Sequence, residues 1–138
     1  MLRAVADTNV VVSALLWRGA PHRLFSQVEP ERILFYTSRA LVAELAGVLA
    51  RRKLARAVRA TGKSVPTLVS EYQALVRLVE PRGLAAPVSR DPDDDAVIAC
   101  AVAARAQLIV SGDKDLRALR AYRSIRIASP AEALQLVS

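Results

Sequence analysis

The most restrictive feature of the chain is a repeated alternation between short apolar runs and segments of helical spacing. LRAVA (Leu2 to Ala6), ILFYT (Ile33 to Thr37), QLIV ending at Val110, and SIRIAS (Ser124 to Ser129) read as buried strands. Between them lie segments with helical character. VVVSALLW runs up to Gly19, and HRLFSQV follows Pro21. Ser38 stands as an N-cap before RALVAELAGVLARR, and ARAVRA is closed by Gly62. A helix is expected from Pro66 to about Val79, because Leu68, Val69, Tyr72, Leu75, Val76 and Val79 keep helical spacing. DDDAVIACAVAARA, DLRALR and PAEALQLV complete the set, the last with Pro130 in its first turn. EPRGLAAPVSRDPDD reads as a loop with room for a short strand. Apolar strands alternating with helices imply a parallel sheet covered on both faces. The expected fold is α/β, a three-layer α/β/α sandwich with a central parallel sheet of four or five strands, in a single domain over residues 1–138.

The totals agree with one such domain. The chain has 138 residues, of which 53% are hydrophobic, enough for a core and too many for disorder. No apolar run reaches the ~18 residues of a membrane span, and no basic segment precedes a long apolar stretch as in a signal peptide. One cysteine, Cys100, excludes an internal disulfide. It sits in VIACAVAA and reads as a buried thiol. A cytoplasmic protein without membrane attachment is expected. The net charge of +7 favours a polyanionic partner.

In open parallel sheets, ligands bind outside the carboxyl ends of the strands. Several acids fall there. Asp7 ends the first strand, and Asp113 follows Leu108 to Val110 by a Ser-Gly turn. Asp94 and Asp95 open the helix before that strand, which starts near the same edge because crossovers are right-handed. Glu44 is the only ionisable residue of ALVAELAGVLA, six residues after Ser38, and reaches the same edge. Carboxylates from four separate segments repel one another unless a divalent cation lies between them, and Mg²⁺ prefers such oxygen ligands. Other chemistries are poorly supplied. His22 is the lone histidine, no zinc set with Cys100 is possible, and neither a G-x-S-x-G nor a P-loop motif occurs.

These pieces resemble the PIN domain, specifically its toxin-type ribonucleases that pair with an antitoxin. The resemblance is carried by ADTNVVVSALL, TSRALVAELAGVL, RDPDDDAVIACAVAARAQLIVSGDKDL and the closing strand and helix, which together span nearly the whole chain. It implies an Mg²⁺- or Mn²⁺-dependent endoribonuclease acting on single-stranded or loop RNA, an antitoxin partner, and a homodimer. By the same resemblance Asp7 is the first metal ligand, Glu44 the second and Asp113 the last. The third is Asp94 if the triplet is read as D-D-N and Asp95 if it is read as a lone D before the apolar helix; both stay as candidates, Asp94 ahead. Asn9 and Ser111 match the supporting polar residues. Asp91 and Asp115 read as caps of a turn and a short helix.

The implied chemistry is attack of a metal-activated water on phosphorus, leaving a 5′ phosphate and a 3′ hydroxyl. RRKLARAVRATGK (Arg51 to Lys63) holds six Lys and Arg and no acid. Within it Arg52, Arg56 and Arg59 follow helical spacing and form a stripe suited to RNA phosphates or to an acidic segment of an antitoxin. Aromatics make up only 4%, so base stacking is scarce, and Trp17 is expected in packing. Two rivals remain. A HAD-like phosphatase needs Asp-x-Asp, and Asn9 stands at the second position. A catalytically silent PIN fold would serve as an RNA-binding or protein-docking module.

Overall fold

A computed structural model describes residues 1–84, 87–88 and 91–137. In chain order the elements are β1 (Leu2–Ala6), α1 (Thr8–Leu16), α2 (Ala20–Phe25), β2 (Ile33–Thr37) and α3 (Arg39–Leu49). After a 3-10 turn (Arg52–Leu54) come α4 (Ala55–Ala60), α5 (Val65–Leu75), β3 (Arg77–Leu78) and α6 (Pro92–Ala103). The chain closes with β4 (Leu108–Val110), α7 (Lys114–Ala118), β5 (Ala121–Tyr122), β6 (Ile125–Ala128) and α8 (Pro130–Val137).

The strands form one sheet in the order β3-β2-β1-β4-β6-β5. All pairings are parallel except β5 with β6. Period-two alternation sends neighbouring side chains to opposite faces. Ala4, Ala6, Ile33, Phe35, Leu108 and Val110 face a core shared with α1, α2, α5 and α8. Val5, Ile109, Ile125 and Ile127 face a second core with α6 and Leu116 of α7. The three layers are therefore those expected, because the central strands carry apolar side chains on both faces. The two phenylalanines, Phe25 and Phe35, stack at 4.1 Å between ring centroids and lock α2 onto the sheet.

The sheet has six strands where four or five were expected, and one is antiparallel. Both additional strands are two-residue edges. The helix expected from Pro66 to Val79 stops at Leu75. Arg77 and Leu78 instead pair with Tyr36 and Thr37, and the Val79 N–H donates to the Thr37 carbonyl at 2.9 Å. Ladder bonds offered by the open edge of β2 outweigh the helical spacing of Val76 and Val79. The loop after β3 forms no strand among its described residues; Ala85, Ala86, Ser89 and Arg90 lie outside them. Trp17, expected to pack, caps the C-terminus of α1 and is 51% exposed. Cys100 is fully buried, and that burial pushes its thiol up to about 12, with partial relief from the Ser38 side chain. Among the described residues no helix is long and apolar enough to cross a membrane.

Strand order turns around between β1 and β4. From β1 the chain moves outward to β2 and β3, then returns through α6 to β4 and continues the other way. Such a reversal opens a crevice at the carboxyl ends of the two strands. Asp7 and Ser111 are the residues that follow β1 and β4. The Asp7 N–H donates to the Val110 carbonyl at 3.0 Å, so the two strand ends are tied together at the crevice floor.

Candidate active site

Asp7 is the N-cap of α1. Its Oδ1 accepts from the Val10 N–H at 3.0 Å, and its Oδ2 accepts from the Ser111 hydroxyl. The aspartate and the asparagine between two apolar segments therefore mark a strand-to-helix junction whose first free N–H groups need an acceptor. Asp7 is buried, and burial raises its pKa. Ser111 and the Val10 N–H offset part of that rise, and the nearby charge of Asp113 adds to it.

Ser111 is the central support. It is fully buried, donates to Asp7, and accepts from the Asp113 N–H at 3.0 Å. Asp113 in turn caps α7, with Oδ1 accepting from the Asp115 N–H at 2.7 Å and the Leu116 N–H at 3.2 Å. The cap of that helix is thus Asp113, and Asp115, expected to cap, lies in its first turn. Asp91 does cap α6, accepting from the Asp93 N–H at 2.9 Å.

Glu44 projects from α3 toward the same crevice. Its Oε1 accepts from the Thr8 hydroxyl, which ties α3 to the start of α1. Partial burial raises its pKa; Thr8 offsets this, while Asp93 and then Asp7 push it further up. The carboxylates converge on a cavity of about 130 Å³, lined by Asp7, Glu44, Asp91, Asp93, Asp94 and Asp113, with Thr8, Asn9, Val48, Arg51 and Val97 between them. A wider recess of about 440 Å³ opens beyond Asp91, Asp94 and Asp113 and carries Asp115 on its wall.

Asp94 and Asp95 part company here. Asp94 is buried and lines the cavity. The Asp95 carboxylate accepts from the Val88 N–H at 3.1 Å and holds the preceding loop. Asp95 lies about 100° further round the helix than Asp94 and is not among the residues that line the cavity. Asn9 lines the cavity, and its backbone N–H supports Asp7. Thr8, Asp93 and Arg51 are cavity residues that the sequence reading did not single out. Arg51 carried a readable signal, being seven residues beyond Glu44.

A donor set made of carboxylate oxygens fits a hard divalent cation. Among the described residues, no three acidic, histidine or cysteine side chains already form a tight metal-holding group. The two observations are compatible. Mg²⁺ is commonly held by one or two carboxylates, with waters and a substrate phosphate completing its shell.

Residues 3–115 match the family profile of the PIN domain. The chain belongs to the PIN domain family. No curated protein matches it. PIN domains are generally nucleases and typically use divalent metals. In this PIN domain the matched span carries every acid of the cavity, from Asp7 to Asp113.

Proposed function

We propose that this PIN domain is a divalent-metal-dependent endoribonuclease, cutting single-stranded or loop RNA as the toxin of a toxin–antitoxin pair. The observation that carries the reading is the convergence of six carboxylates from four segments on one cavity at the sheet's switch point. Asp7, Glu44, Asp94 and Asp113 would hold Mg²⁺ or Mn²⁺. The bound cation would supply an acidified water and offset charge on the leaving oxygen. In the hydrolysis water oxygen bonds to phosphorus, the P–O3′ bond breaks, and O3′ leaves with a proton, giving a 5′ phosphate and a 3′ hydroxyl.

The chain's own residues prepare the site. Ser111 and the Val10 N–H fix both oxygens of Asp7, and Thr8 fixes Glu44. Preorganised groups of this kind need no rearrangement when substrate arrives. Arg52, Arg56 and Arg59 are all exposed, on the 3-10 turn and α4, and would grip RNA phosphates. The 3-10 turn shifts Arg52 out of strict α-helical register with the other two. An antitoxin and a second copy of the chain are the proposed protein partners.

The test is digestion of single-stranded RNA with Mg²⁺ or Mn²⁺ by wild type and Asp7→Asn. Cleavage that disappears with EDTA and in the variant supports the reading. The second reading is a catalytically silent module that binds RNA or protein. RNA binding without cleavage under any of these conditions would select it.

A further inference from the structure

Among the described residues that line the acidic cavity, one is cationic, Arg51. Glu44, Val48 and Arg51 are spaced by four and three residues, so one face of α3 and its continuation presents acid, apolar wall and cation in succession. The backbone at Arg51 is held on both sides. Its N–H donates to Val48 at 3.1 Å, and its carbonyl accepts from Leu54 at 3.0 Å. The side chain is exposed and belongs to none of the four ion pairs formed among the described residues. A guanidinium placed to neutralise six carboxylates would be drawn into a forked pair with one of them. Arg51 lines the cavity and is in none of these pairs.

We propose that Arg51 is the anchor for the substrate phosphate in this cavity, its guanidinium donating to a non-bridging oxygen of the group to be cut. The inference deepens the nuclease reading and rests on it for the identity of the substrate. A phosphodiester entering a wall of carboxylates is repelled by them, and a fixed cation on that wall lowers the cost of entry. Arg51 also opens the acid-free stretch of sequence that runs to Lys63 and includes the exposed Arg52, Arg56 and Arg59.

The experiment uses a 5′-fluorescein single-stranded oligoribonucleotide with wild type, Arg51→Ala, Arg51→Lys and a control, Arg23→Ala, which removes the same charge from exposed α2. Single-turnover cleavage in Mn²⁺ should slow by about 10- to 100-fold in Arg51→Ala, the range for losing one charge-assisted hydrogen bond. The lysine variant should recover part of it. Calorimetric Mn²⁺ affinity should stay equal or rise in Arg51→Ala, because a positive charge has left the site. RNA affinity by anisotropy in Ca²⁺ should fall more than in the Arg23 control. Wild-type cleavage by Arg51→Ala overturns the assignment. So does weakened Mn²⁺ binding with a rate restored by excess Mn²⁺, which would make Arg51 a support of the metal site. If the wild type cleaves nothing, the nuclease reading fails alone; the anchor then stands on a loss of RNA affinity beyond the control and falls if the two variants bind alike.

Discussion

Asp7→Asn should raise the stability of the metal-free protein while abolishing cleavage. The cap survives, because an asparagine Oδ1 can still accept from the Val10 N–H, now 3.0 Å away, and asparagine is as good an N-cap as aspartate. Ser111 must turn its hydroxyl from donor to acceptor, which its second lone pair allows. Meanwhile a negative charge leaves a place where burial and Asp113 both disfavour it. Relief of this kind at a functional site is worth about 0.5–2 kcal/mol. For a chain of this size that is a rise in Tm of about 2–10 °C. Mn²⁺ should reverse the order: at about 100 times its Kd a ligand adds roughly 2.7 kcal/mol to the protein that binds it, and the variant gains none of that. The pH dependence follows the same logic. A carboxyl with a raised folded pKa contributes stability below its ordinary value of 3.8, and that contribution is lost as pH rises through the raised value. The advantage of the variant in EDTA should therefore widen from about pH 4 toward neutrality. Thermal melts of both proteins, in EDTA across pH and in Mn²⁺, decide the matter. A variant that melts below wild type in EDTA, or a wild type indifferent to Mn²⁺, refutes the reasoning.

Three further outcomes are expected. Asp94→Asn should abolish Mn²⁺-dependent cleavage, whereas Asp95→Asn should leave Mn²⁺ affinity within about threefold and instead free the loop at Val88, read by hydrogen exchange at that amide. Arg56→Ala should weaken RNA binding and reduce the slope of log affinity against log salt by about 0.7, the single-strand value per phosphate contact. An unchanged slope would remove it from the interface. Cys100 should resist iodoacetamide at pH 8 until the protein unfolds, since its thiol is buried and titrates only near 12; labelling of the native protein at the rate of an unfolded control would contradict that burial.

How much of this was legible in the residues depends on what holds each element. β1, β2 and β4 are apolar on both faces, so their strings announce them, and Asp7 and Asp113 mark their ends without help. The acidic first turn and apolar body of α6 are equally plain. β3 is not, because Arg77 and Leu78 become a strand only through the free edge of β2, more than 40 residues away in sequence. β5 exists only as the antiparallel partner of Ile125 and Arg126. Which of Asp94 and Asp95 lines the cavity depends on how α6 rotates on the sheet, and a triplet of identical residues holds no information on that. Thr8 gains its role only by reaching Glu44 from another segment of the fold, whereas Arg51 stands at a readable spacing of seven residues from Glu44.

Three of the cavity acids, Asp7, Asp91 and Asp113, also begin helices. The chemistry and the scaffold therefore share atoms, and the two cannot drift apart freely. Replacement by alanine would fray a helix at about 1 kcal/mol each, while asparagine or serine would retire the charge and keep the helix. On the nuclease reading, a descendant that loses activity would keep its helices through such replacements, so its vacated site should read as amides and hydroxyls in the old positions.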